Sequence, residues 1–292
     1  MTLYLKFLLL GCFWGGSFIA IKFAIASVPF SIAVFLRILI GLCVLFGACL
    51  LLKKPLTLPK KVLPWVWLNG LFSIGLPFLF LFWAEEHVSA GLAGIMNGTV
   101  PIWTALLGLM FLKEYERASW RKMVGVFTGL LGVVVIFAPS LQMSESRQMF
   151  LGLLALWMMA LLYASGTLMA KQLISGKSKV PVIAAALHQH LASSVLVGLY
   201  LVFTGQSFAQ VDWQMRPVVA LFYMGICSTG LAFLIFFDLV SKWGAVRAST
   251  VTYLIPTVCL ILDYFVFGNT PHLNQLVGIG IVFSGIFLVQ RS

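Results

Sequence analysis

Asn97-Gly98-Thr99-Val100-Pro101-Ile102-Trp103-Thr104 and, 155 positions further on, Thr252-Tyr253-Leu254-Ile255-Pro256-Thr257-Val258-Cys259 decide how this chain is read. Asn97, Pro101, Thr104 and Gly108 stand at i, i+4, i+7 and i+11 of an apolar stretch. The same spacing returns Thr252, Pro256, Cys259 and Asp263 in a second one. On a helix that spacing is a single face, here partly polar and centred on a proline. The flanks repeat at the same offset: Gly70 with Gly225, Ser73 with Ser228, Gly75 with Gly230, Ala90 with Ala245. One helical unit is written twice.

The composition places both copies in a bilayer. Hydrophobic residues make up 61% of the 292, charged residues 9%, and the mean hydropathy is +1.06. About a quarter of a soluble domain is charged, so this chain cannot cover its surface in water. Ten apolar segments are long enough to cross hydrocarbon: 3–22, 31–52, 63–84, 89–112, 120–138, 150–170, 181–203, 217–240, 244–267 and 273–290.

The net charge of +11 invites a nucleic-acid reading, but the positions of the charges decide against it. With the N-terminus cytoplasmic, 15 of the 19 basic residues fall on inside segments, the Lys53 to Lys61 loop among them. Only Lys22, Arg147 and Arg216 fall outside, and Arg37 lies within a span. This is the positive-inside asymmetry. It predicts both termini in the cytoplasm of a cell membrane, a bacterial inner membrane, with the bilayer as partner and no nucleic acid.

The five cysteines all sit within spans and lack metal-ligand spacing, so neither a metal site nor a disulfide framework is expected. The N-terminal apolar run is too long for a cleaved signal, and Lys22 interrupts it before the small-residue site. It is read as the first span.

The expected fold is an all-α integral membrane protein of ten transmembrane helices in two inverted five-helix repeats. Residues 1–138 form the first repeat, 139–149 a linker and 150–292 the second. Five spans per copy turn the second copy upside down, so Lys22 ends outside and its counterpart Lys171 inside. Inverted repeats build carriers with a site near the midplane. No P-loop is present, which excludes ATP-driven transport by this chain alone. Short loops leave no soluble domain to hold a cofactor, and none is expected.

Phe13-Trp14-Gly15-Gly16-Ser17-Phe18 in the first span, Arg37 in the second, Pro101 in the fourth and Phe111-Leu112-Lys113-Glu114 closing it carry a family likeness. With the Gly125, Gly129 and Gly132 run of the fifth span, the chain resembles the drug/metabolite transporter superfamily, EamA type. One departure is Asn269, where the second half would repeat Glu114. The resemblance implies export or exchange of small metabolites, often amino acids.

Several residues are candidates for the site. Asn97, Pro101, Thr252 and Pro256 form the repeated stripe; a proline inside a span frees a carbonyl, which hydrocarbon does not tolerate unless neighbouring helices or a wet cavity satisfy it. Trp14 and Ser17 on the first span and Tyr163 and Thr167 on the sixth form a second symmetric pair of faces. Trp103 and Tyr253 join them, and ordinary helix packing is the alternative for each aromatic residue. Asp263, an acid deep in a span, reads either as a proton or substrate-amine group or as a bridge to Arg37. Arg37 reads either as a carboxylate clamp or as a structural and gating residue. His188 occupies roughly the slot of Arg37 in the other half, as a cavity contact or a packing histidine. His188 and His190, at i and i+2, diverge on a helix and cannot share a zinc ion. Asp238 and Glu85-Glu86 near span ends read as anchors or loop charges.

The leading expectation is a secondary transporter of small amphipathic metabolites, amino acids or their relatives, acting as a monomer by alternating access. A passive channel shares the composition. An intramembrane lipid-modifying enzyme would need a converging nucleophile–base or metal cluster, which the sequence does not supply.

Overall fold

The computed structural model describes residues 2–88, 90–111, 120–138, 147–175, 180–267 and 270–291, the side chains of Ala90, Gly91, Gln210, Asp263, Val266 and Phe267 excepted. Glu114, Asn269 and positions 139–146 of the expected linker lie outside the described residues.

Among the described residues ten helices are long and apolar enough to span a membrane: α1 (Leu3–Ile25), α2 (Phe30–Leu51), α3 (Leu63–Glu85), α4 (Leu92–Phe111), α5 (Trp120–Phe137), α6 (Arg147–Ser175), α7 (Val182–Thr204), α8 (Met215–Trp243), α9 (Ala245–Leu262) and α10 (Leu273–Gln290). Their outward faces carry exposed large apolar side chains such as Phe46, Phe127, Phe203 and Phe265, which suits hydrocarbon. Trp65, Trp120 and Trp213, exposed at span ends, suit the headgroup level.

Local chemistry sets the ends. The hydroxyl of Thr2 accepts from the Leu5 N–H at the start of α1. Pro29 and Pro181 precede α2 and α7 at the N-cap, where a missing N–H costs nothing. Gly205 closes α7 with φ +65°, the left-handed conformation glycine adopts freely. The expected sixth span begins too late: nothing between Arg147 and Phe150 breaks a helix, so α6 starts at Arg147, inside the expected linker, and runs to Ser175.

The fold is two five-helix halves that pack mainly on each other. Where α1 lies against α8 and α9, α6 lies against α3 and α4; where α2 lies against α8, α7 lies against α3. The fifth helix of each half, α5 and α10, forms a tight outer pair. A Cβ on Gly285 would come within 2.4 Å of the Gly129 backbone nitrogen, so these helices touch only because both positions lack side chains.

Four irregularities, in two pairs, sit where the halves meet. α3 contains a π-turn at Leu71–Gly75, and α8 one at Ile226–Leu231, 155 residues later. Such turns collect at functional sites. The glycine before each lets α3 and α8 approach a neighbouring backbone: a Cβ on Gly70 would lie 2.5 Å from the Gln189 carbonyl oxygen, and one on Gly225 would lie 2.4 Å from Ile40 Cβ. α4 breaks at Thr99, between Ala90–Gly98 and Val100–Phe111, and α9 passes through a 3-10 turn at Thr250–Tyr253.

At one end of the bundle, Asp238 of α8 binds Lys6 of α1 and, at 2.7 Å, Lys242. Lys171 of α6 donates to the Ser241 carbonyl at 2.9 Å. Asp238 therefore ties basic residues together and is not a free loop charge.

Candidate functional site

Breaks, π-turns and aromatic residues converge on one cavity. It encloses about 670 Å³ of free space, its mouth included, and is lined by Trp14, Ser17 and Phe18 (α1), Arg37 (α2), Ser73, Phe78 and Leu81 (α3), Asn97 and Val100 (α4), Tyr163 and Thr167 (α6), Phe233 and Phe236 (α8), and Ser249, Thr252 and Ile255 (α9).

The lining repeats the internal symmetry. At an offset of 155, Phe78 pairs with Phe233, Leu81 with Phe236, Asn97 with Thr252 and Val100 with Ile255; at 149, Trp14 pairs with Tyr163 and Phe18 with Thr167. Both members of every pair face the cavity. Ser17, Arg37, Ser73 and Ser249 have no lining counterpart.

Arg37 is the charged member, 3% exposed. Its Nε donates to Thr229 Oγ1 at 2.8 Å and its Nη2 to the Ser228 carbonyl at 3.5 Å, both in the π-turn of α8. The guanidinium lies 4.1 Å from the Phe78 ring centroid, within cation–π reach. Nη1 is buried and, among the described residues, has no hydrogen-bond partner. Among the described residues no carboxylate is within ion-pair distance of Arg37, and none of those lining the cavity is acidic. The Asp263 side chain lies outside the described residues, so the bridge to Arg37 expected from the sequence is neither drawn nor denied.

The aromatic wall is held by named bonds. Trp14 Nε1 donates to the same Ser228 carbonyl at 3.1 Å, and its ring meets Phe236 at 5.1 Å. Tyr163 packs against Phe78 at 6.4 Å. The hydroxyls of Thr167 and Thr252 bond back to Tyr163 and Ser249 carbonyls of their own helices, which leaves lone pairs free to accept. Asn97, 7% exposed, lines the cavity as well.

Four expected residues are not in the lining. Pro101 and Pro256 act one turn away: each removes the donor that would reach the carbonyl four residues earlier, and those carbonyls belong to Asn97 and Thr252. Trp103 turns to α6 and packs edge-on against Trp157 at 6.0 Å. Tyr253 is fully buried against Gly129 of α5, its hydroxyl donating to the Val126 carbonyl at 2.7 Å. It belongs to the packing between α9 and α5, because the 3-10 turn sets it on a different face from Thr252.

His188 takes the packing reading of its two alternatives. Its ring contacts the Leu56 carbonyl at 2.9 Å and Trp67 Nε1 at 3.5 Å, at the edge of the bundle and away from the cavity. The residue in the slot of Arg37 is Gln189: each stands eight positions after the proline that precedes its helix. Gln189 donates to Asn69 Oδ1 at 2.6 Å, and Asn69 donates to the Gly166 carbonyl at 2.6 Å, which closes a buried polar clamp between α3, α6 and α7. The sequence reading missed Phe78, Phe233, Leu81 and Phe236. The signal was present, since the offset that links Ser73 with Ser228 continues through both pairs. No group of three or more possible metal ligands occurs among the described residues.

Comparison with known proteins agrees with this architecture. The model of the EamA-like transporter family matches residues 1–138 and again 150–291. An uncharacterized transporter of Archaeoglobus fulgidus is 28% identical, over 96% of this chain and 95% of that one. The uncharacterized transporter YoaV of Bacillus subtilis is 23% identical, over 94% and 92%. A protein crystal structure superposes with a TM-score of 0.80 at 20% identity, covering 97% of this chain and 94% of that one, which shows a shared fold. The chain belongs to the EamA-like transporter family.

Proposed function

We propose that this EamA-like transporter is a secondary carrier of small amphipathic metabolites that bear a carboxylate, with amino acids of apolar or aromatic side chain as the leading class, working by export or exchange. The observation that carries the reading is Arg37: a buried guanidinium that lines the cavity and whose Nη1, among the described residues, has no partner, with no acidic side chain among the described lining residues. A substrate carboxylate supplies the missing acceptor and charge, while Phe78, Phe233, Trp14 and Tyr163 offer ring faces to the rest of the molecule. Asn97, Thr252 and Thr167 can hold an ammonium or hydroxyl through oxygen acceptors.

The two halves exchange roles in the mechanism. Substrate sits between them, and rocking one against the other across the α1, α6, α3 and α8 contacts opens the cavity to each side in turn. The paired π-turns beside Arg37 and Gln189 supply the local give, because they interrupt the regular helical ladder where the halves meet. Both termini and the Lys6, Lys171, Lys242 end lie in the cytoplasm by the positive-inside asymmetry, and one chain supplies the complete cavity.

Purified protein in proteoliposomes tests this reading. Labelled amino acid should enter faster when unlabelled amino acid waits inside, and the rate should saturate. Equal entry with and without an internal pool means a channel, and turnover of a lipid means an enzyme.

A further inference from the structure

Glu85 ends α3 and reads from sequence as an anchor or loop charge, yet it is 3% exposed and neither of its carboxyl oxygens has a hydrogen-bond partner among the described residues. It stands four residues beyond cavity-lining Leu81, one turn along the same face. It stands in the last turn of α3, at the negative end of the helix dipole. Burial and backbone therefore both oppose its charge. The scaffold itself has no need of an acid there: 155 positions on stands Val240, fully buried.

The charges acting on Glu85 from neighbouring helices are Lys22 of α1 and Arg37 of α2, neither within ion-pair distance. From α6, Tyr163 faces the cavity below it. On its own segment Glu86 follows, then His87, whose ring is bound to the Trp83 carbonyl. Arg37 and Glu85 thus form an unbridged pair of opposite buried charges, both in the first half. Their counterparts in the second, Gln189 and Val240, are neutral.

We propose that Glu85 is the proton-binding group of this carrier: it takes a proton from water when a substrate carboxylate settles on Arg37 and returns it when the carboxylate leaves. The inference rests on the reading of Arg37 as the carboxylate site. An ionised Glu85 draws compensation from the Arg37 cation. A carboxylate on Arg37 cancels that compensation and adds a second negative charge, so a proton follows. Linkage runs both ways, and a protonated Glu85 tightens the hold on the anion. A simple carboxylate anion and its proton then cross together without net charge, and a zwitterionic amino acid crosses with one positive charge.

The test uses the purified full chain with phenylacetate, and phenylacetamide as uncharged control, between about pH 6 and pH 9, where neither probe titrates. The wild-type dissociation constant for phenylacetate should rise toward about tenfold per pH unit above the titration of Glu85. Glu85→Gln should remove the slope. Glu85→Val, which copies the packing at position 240, should also remove it, so a folding defect in one variant does not decide the matter. Phenylacetamide affinity should stay flat. Phenylacetate binding with no slope in the wild type, or with the same slope in both variants, overturns the coupling and leaves the Arg37 reading standing. Failure of phenylacetate to bind at all overturns both.

Discussion

Arg37 in α2 and Gln189 in α7 stand at the same distance from the prolines that precede their helices, and each packs beside a glycine that opens a π-turn in the other half. Arg37 lines the cavity, and its Nη1 has no partner among the described residues; Gln189 is bound to Asn69, has no such partner for its Oε1, and is not in that lining. Most of the lining is paired between halves, so duplication built the chamber. The charge is not paired. Symmetry thus supplies the moving frame, and a few departures from it supply the chemistry of recognition.

Breaking the shared frame should have the largest effect. Gly70→Leu and Gly225→Leu each drive a side chain into a neighbouring helix at under 3 Å, and each should cost about 3 kcal/mol or more. Melting curves and yield after detergent extraction should show equal damage from either half. Damage from only one would mean that the interface is not symmetric.

Exchanging the unequal residues should separate site from frame. Arg37→Gln should weaken binding of a carboxylate ligand about 100-fold, near 3 kcal/mol, with little change in melting temperature. Gln189→Leu should do the reverse. It strands the Asn69 carbonyl oxygen and costs about 1–3 kcal/mol of stability, with affinity in the surviving protein unchanged. Isothermal titration and thermal unfolding on both variants read the two effects. Parallel losses in both would put the two slots on the same footing.

The paired stripe should respond alike in both halves. Asn97→Leu and Thr252→Leu remove polar groups from opposite walls, and each should reduce transport about tenfold, at ~1.4 kcal/mol, while insertion in the membrane stays normal. Normal flux in both variants would remove the stripe from the mechanism. The smallest effect belongs to Tyr253→Phe: loss of its bond to the Val126 carbonyl should cost about 1 kcal/mol of stability and leave transport untouched. A change in substrate affinity would return Tyr253 to the cavity.

The sequence displays the frame more openly than the site, for physical reasons. Polar residues inside a bilayer are costly enough to stand out, which made the Asn97/Thr252 stripe and the Trp14/Tyr163 faces visible. Apolar lining such as Phe78 and Phe233 carries no such mark, because it looks like any packing residue. One position of register turns a helix by about 100°, which separates His188 from Gln189 and Thr252 from Tyr253. The π-turns leave only glycine and serine as traces, and nothing in Trp83-Ala84-Glu85-Glu86 tells which acid turns inward.

The central claim is that Arg37 holds the carboxylate of a substrate in a cavity that opens to one side at a time. Counterflow of labelled L-phenylalanine into proteoliposomes loaded with the unlabelled amino acid tests it most directly. Wild-type protein should accumulate label transiently above the outside level, and Arg37→Gln protein of equal melting temperature should not. An overshoot of equal height in both, or none in the wild type, would contradict the account.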